Sequence, residues 1–121
     1  MEILIKRPKE TDEIPTEERC HILELLNESD DLSQSIARAR VEPGVTTAWH
    51  QLKDTSEVYL LISGQGTIEL NENEAHDLIK GDLVRIPPNT PQRIKNTGIE
   101  DLVFLCFCTP AFGAHCYEDL E

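Results

Sequence analysis

The sequence predicts an all-β fold, a sandwich or barrel of short strands within one domain. Three observations predict it. Short runs rich in Val, Ile, Leu, Phe and Tyr recur along the chain. Turn-forming residues separate them every several positions. No stretch carries the 3.6-residue apolar period of a long amphipathic helix.

The elements follow in order. Glu2–Ile5 is a short apolar run and reads as an edge strand. Lys6–Arg19 is polar, holds two prolines, and reads as a surface loop with a helical turn starting near Thr16. His21–Leu26 is ambiguous by period, and Asn27–Asp31 is a turn by composition. Gln34–Val41 alternates as a strand does. Thr46–Leu52 opens with β-branched and aromatic residues that suit a strand, and Glu57–Ser63 is a strong strand, apolar on both faces. Gly64-Gln65-Gly66 turns, Thr67–Leu70 is extended, and Asn71–Glu74 makes a hairpin turn into the strand that follows. Lys80–Asp82 turns before the strand Leu83–Ile86. Pro87–Pro91 is a rigid loop, Gln92–Asn96 resumes extended structure, and Leu102–Cys108 is the last strong strand. Thr109–Glu121 reads as a solvated tail, although His115, Cys116 and Tyr117 are close enough in sequence to fold over a barrel mouth. The count is nine or ten strands.

The totals narrow the function. A chain of 121 residues with 39% apolar and 28% charged residues suits one soluble domain with one core. No apolar run approaches the roughly 18 residues that span a bilayer, and the start lacks a basic-then-apolar signal, so a cytoplasmic protein is expected. The net charge of −12 repels nucleic acid and anionic membrane surfaces, and neither is expected as a partner. Four cysteines, in that compartment, are expected as free thiols; Cys106 and Cys108, spaced C-x-C on one strand face, read as small buried hydrophobes.

The stretch Trp49–Glu57, WHQLKDTSE, raises the functional question. Gly44 is followed by five residues and His50; Leu52 lies two places on, then Glu57, then six residues and Gly64. Downstream, Gly81 is followed by five residues and Pro87, and then come Asn89, Gln92 and Asn96. These two segments resemble the two motifs of the cupin superfamily, over roughly residues 41–110. The resemblance implies a small single-domain jelly-roll β-barrel (double-stranded β-helix) covering residues 1–121. Residues 1–33 would then supply an N-terminal edge strand and loops, and residues 111–121 a tail. Gly44, Gly64 and Gly81 fall where tight turns need permissive backbone, and Asn89 replaces a motif glycine with the residue that best tolerates left-handed backbone.

The resemblance implies a metal site of three His and one Glu, and here the chain departs from it. The matching positions are His50, Leu52, Glu57 and Gln92. Leu52 cannot ligate, and a Gln carbonyl is weaker than imidazole for a first-row transition metal. Three readings remain open. His50, Glu57 and Gln92, with water, hold Fe, Mn, Ni or Zn weakly in a dioxygenase- or isomerase-like enzyme. Or they converge as polar groups in a metal-free pocket for a small polar molecule, with Leu52 and Tyr59 on its wall, where His50 can act as a base if Glu57 orients it. Or they form a satisfied buried cluster with no ligand. Leu61 shares the parity of Tyr59 and is expected beside it. Trp49 should face out of the barrel, as should Arg38 and Arg40, paired with acidic residues. The resemblance also implies a homodimer, for which residues 1–5 suit a covering strand exchanged with the partner.

Overall fold

The computed structural model of the chain describes residues 2–121. Eleven strands form: β1 Ile14–Pro15, β2 His21–Leu26, β3 Ser35–Val41, β4 His50–Leu52, β5 Ser56–Ser63, β6 Gln65–Leu70, β7 Glu74–Ile79, β8 Leu83–Ile86, β9 Gln92–Asn96, β10 Leu102–Thr109 and β11 Tyr117–Asp119. They pair antiparallel in two sheets, one ordered β1-β2-β3-β10-β5-β8 and the other β11-β4-β9-β6-β7. Two such sheets packed face to face make a jelly-roll barrel. The helical turn expected near Thr16 does not form: residues 17–20 make a non-helical turn, and the 3₁₀ turn among the described residues, Glu10–Asp12, ends four residues earlier. Among the described residues no helix is long and apolar enough to cross a membrane.

Strand alternation decides what fills the barrel. In β5, Glu57, Tyr59 and Leu61 point inward and are buried. In β3 the buried positions are Ser35, Ala39 and Val41, while Arg38 and Arg40 face outward. There they meet the N-terminal arm: Arg38 donates to Glu10 at 2.6 Å, and Arg40 donates to Glu13 at 2.6 Å and to Asp101 at 3.2 Å. These guanidinium bonds hold the Glu10 and Glu13 carboxyls below the usual range.

One end of the barrel is solid. Val41, Leu61, Ile68, Ile86, Ile94 and Leu102 are each at most 1% exposed and pack together there. The other end holds the small inward residues Ser35, Ala37 and Ala39 of β3, and it stays open as a cavity. Leu61 therefore belongs to the filled end rather than to the cavity wall beside Tyr59.

The turns obey backbone sterics. Gly64 adopts φ +82, and a Cβ built there would lie 2.6 Å from the carbonyl oxygen of Asp101. Asn89 sits at φ +61, the left-handed conformation its motif position demands.

Four expectations are corrected. Glu2–Ile5 forms no strand and lies exposed; the sheet edge is β1, and Met1 lies outside the described residues. Only His50–Leu52 of the run Thr46–Leu52 joins a ladder, with Thr46 making an isolated bridge to Lys95. Gly64 alone makes the turn after β5, since β6 already begins at Gln65. The tail is not solvated. Ala111 and Cys116 are buried, and Tyr117–Asp119 pairs with β4. The edge of β4 leaves backbone groups unpaired, and the tail satisfies them.

Candidate functional site

The cavity has a volume of about 510 Å³, within the range of small-molecule sites. His50, Leu52, Glu57 and Tyr59 all line it, as strand parity requires. Its walls are mostly apolar, with Ile22, Ala39, Ile94 and Phe104 among them.

His50 comes from β4 and is 5% exposed. Its Nδ1 lies 2.9 Å from the carbonyl oxygen of Ala48. A carbonyl only accepts, so Nδ1 carries the hydrogen and Nε2 is left for whatever enters the cavity. Glu57 comes from the facing sheet and is 7% exposed. One carboxyl oxygen, Oε2, accepts a weak bond from the Cys108 thiol at 3.5 Å. The other, Oε1, is buried without a hydrogen-bond partner among the described residues. Burial pushes the Glu57 carboxyl up to about 7; the charge of His50 opposes this and that of Glu18 adds to it. A buried carboxyl with a free oxygen is a group built to meet a ligand or to hold a proton.

Gln92 stands directly across the ladder from His50 but behind the cavity wall. It is 1% exposed, and its Oε1 accepts the Tyr59 hydroxyl at 2.6 Å. Gln92 thus fixes the Tyr59 phenol, whose ring also packs on Phe104 with centroids 4.5 Å apart. Burial holds the Tyr59 hydroxyl well above its ordinary pKa, so it stays a donor.

These donors do not fit a firmly held divalent transition metal. Such a site needs three or more protein ligands. Leu52 fills one ligand position with hydrocarbon, and the Gln92 carbonyl is engaged by Tyr59. Among the described residues no three His, Cys, Asp or Glu side chains gather where they could share an ion.

Several lining residues escaped the sequence reading. Cys20, Cys106 and Cys108 are free thiols on the wall. Burial raises all three, Cys20 to about 12, so each holds only a small thiolate fraction at neutral pH and reacts slowly. The parity of Cys106 and Cys108 with the buried Phe104 was the available signal. Glu18 reaches the rim from the loop before β2, and Phe112 and Tyr117 reach it from the tail. No periodicity marks any of these three. Trp49 does face out of the barrel, where the Arg93 guanidinium lies 4.5 Å from its ring centre.

Comparison with known proteins agrees with this architecture. The family model for the cupin domain matches residues 37–108. An uncharacterised protein of Methanocaldococcus jannaschii is 37% identical over 90 residues, covering 74% of this chain and 71% of its own. The glucose-6-phosphate isomerase of Pyrococcus abyssi is 37% identical over 73 residues, covering 57% of this chain but only 38% of the isomerase. Among solved structures, the nucleoside dehydratase Pac13 of Streptomyces superposes with a TM-score of 0.78 at 21% identity, covering 98% of this chain and 92% of its own. The two motifs, the two-sheet barrel and these matches together place the chain in the cupin family.

Proposed function

We propose that the cavity binds a small polar molecule, held by His50 and Glu57, without a resident metal. The observation that carries this reading is the buried, unpartnered Oε1 of Glu57 on a cavity of about 510 Å³. An unsatisfied buried polar atom costs roughly 1–3 kcal/mol, and a ligand donor supplies the missing bond. Tyr59, fixed by Gln92, offers a shaped aromatic wall beside it. Equilibrium dialysis against a defined mixture of sugars, nucleosides, amines and small acids, read by mass spectrometry, tests the reading. Retention of one compound is expected, with loss of retention in Leu52→Trp or Ala39→Met, which fill the cavity from opposite walls. Failure to retain any compound, or equal retention in folded cavity-filled variants, would overturn it.

A second reading, metal-free proton transfer, is favoured by the titration of Glu57 near neutrality. A group with a pKa near the working pH can both take and give a proton, and the Nε2 of His50 supplies a second proton-transfer group at the same cavity. Dehydration, the reaction for which the structurally similar Pac13 is named, is chemistry of this kind. Incubating the retained compound with the protein in D₂O tests this reading. Deuterium incorporation or loss of water that disappears in Glu57→Gln is expected; an unchanged compound overturns it.

A further inference from the structure

We infer that the cavity selects by charge, admitting uncharged or cationic molecules and rejecting phosphorylated or carboxylated ones. The inference rests on the reading of the cavity as a binding site and names the class of ligand that site takes.

The charge inventory of the wall carries it. Glu17, Glu18, Glu24, Glu57 and Asp119 line the cavity, and among the described residues no Lys or Arg does. Lys6 and Arg7 line a neighbouring cleft that shares Ile14, Ile22, Glu24 and Asn27 with the cavity, and Lys6 is paired with Asp30. The other nearby cations are committed elsewhere. Arg38 and Arg40 point to the outer face, bound to Glu10, Glu13 and Asp101. Arg19 is held by Glu121 at 2.8 Å and by the carbonyl of Thr46 at 2.8 Å. Among the described residues, an anion entering would find His50 as the only side chain on the wall able to carry positive charge. Phosphate sites use guanidinium groups, ammonium groups or clustered backbone amides, and here the wall presents instead the buried, unpartnered oxygen of Glu57.

Glu18 links rim and interior. It is half-buried, and the Cys20 thiol donates to its Oε2 at 3.8 Å. Its charge reaches the inner wall, where it adds to the upward push on Glu57, Tyr59 and Cys106. A rim of one sign over low-dielectric walls focuses the field into the opening. The aromatic residues act in the same direction. Four of the chain's six Phe, Trp and Tyr residues, namely Tyr59, Phe104, Phe112 and Tyr117, line the cavity. Their ring faces attract cations and stack on flat neutral groups. The match to a glucose-6-phosphate isomerase thus does not extend to a phosphorylated ligand, whereas the uridine held in a Pac13 structure is uncharged.

Cys106 supplies a probe that needs no knowledge of the ligand, because its thiol lines the cavity. The unsubstituted protein is treated with three methanethiosulfonates of similar reach: trimethylammonioethyl (cationic), sulfonatoethyl (anionic) and methyl (neutral). Peptide mapping gives the labelling rate at Cys106 for each. The ratio of cationic to anionic rates, divided by the same ratio for free glutathione, cancels the thiolate fraction and reads the potential in the cavity. A ratio of about tenfold or more is expected, in the range by which charged clefts alter encounter rates. It should fall towards one in high salt and drop in Glu18→Gln. A ratio at or below one would overturn the inference while leaving the cavity intact. An unchanged ratio in Glu18→Gln would overturn the part assigned to that residue. Labelling is run at mildly alkaline pH with prolonged exposure, to offset the small thiolate fraction; absence of labelling even by the neutral reagent, where the urea-unfolded chain labels at Cys106, would overturn the open-cavity reading itself, and the inference with it.

Discussion

The ring of Tyr117 stacks on the ring of His50, with centroids 5.3 Å apart and planes 19° from parallel. The contact joins the C-terminal strand to the strand that carries the site. In the ladder, Tyr117 stands opposite Leu52 and Asp119 opposite His50. Phe112 meets Tyr117 edge-on at 6.4 Å. Beyond the strand, Glu121 accepts from the Trp49 amide at 2.8 Å and from Arg19, which holds its carboxyl at about 2. His50 is thus braced on one side by the carbonyl of Ala48 and on its face by Tyr117.

Tyr117→Ala removes that face. A stacked aromatic pair contributes about 0.5–1.5 kcal/mol beyond the area it buries, and the half-buried ring also covers Leu52, Cys108 and Cys116. A loss of about 2 kcal/mol in urea unfolding is expected from the two effects together. Tyr117→Phe keeps the ring and should lose under about 0.5 kcal/mol. Equal losses in both variants would show that the hydroxyl, not the stack, stabilises the tail.

Glu57 predicts a pH dependence whose sign is fixed by the direction of its shift. Its folded-state pKa is raised from 4.5 to about 7, so between those values the folded protein binds more protons than the unfolded chain. Stability from this group is then full below about pH 4.5 and is lost as pH rises through about 7. Burial is the main cause; His50, Cys108 and Gln92 oppose the shift, and Glu18 adds to it. Glu57→Gln removes the titration while keeping the shape. Urea unfolding of both proteins from acid to mildly alkaline pH should show the variant gaining on the parent as pH rises, by an amount on the order of a few kcal/mol. Parallel curves would mean that Glu57 is not desolvated in the folded protein.

Strand parity made the inner site legible. His50 and Glu57 hold motif positions that the family resemblance turns inward, so the direction of Tyr59 followed from counting by twos along the strand. Gln92 was expected to converge with His50 and Glu57 on one ligand, but motif spacing cannot tell a residue on the cavity wall from one just behind it; Gln92 stands across the ladder from His50 with its carbonyl turned to the Tyr59 hydroxyl. The same limit applied to Leu61, which shares the parity of Tyr59 yet sits at the filled end. Small residues on β3 set where the cavity stops, and that is a property of the facing strand. Tyr117 was legible only as a tail residue able to fold over the mouth, not as part of a strand. Its three-residue strand has no internal pattern and exists because the edge of β4 needs a partner. Glu2–Ile5 shows the converse: the run is apolar enough for a strand, yet no ladder within this chain receives it.

Asn96 closes the second motif and carries the last prediction. It is 0% exposed, next to the tight turn that leads into β10. Its Nδ2 donates to the carbonyls of Val41 at 2.8 Å and Glu100 at 2.7 Å, and its Oδ1 accepts from the Gly98 amide at 2.8 Å. One side chain therefore satisfies three backbone groups and ties the end of β3 to the β9–β10 turn. Asn96→Ala abandons all three, and at roughly 1–3 kcal/mol for each buried group left unpaired, a total loss of about 3–4 kcal/mol is expected after partial rewetting. Asn96→Asp keeps the volume and the acceptor but turns the two donor bonds into contacts between a carboxylate and two carbonyl oxygens. At neutral pH it should destabilise at least as much as Asn96→Ala, and it should recover part of the loss in acid, where the protonated carboxyl regains one donor. Urea unfolding of both variants at neutral and acid pH checks this. If Asn96→Asp is as stable as the parent at neutral pH, the two carbonyls are satisfied by something other than this side chain, and Asn96 is not what joins the strands.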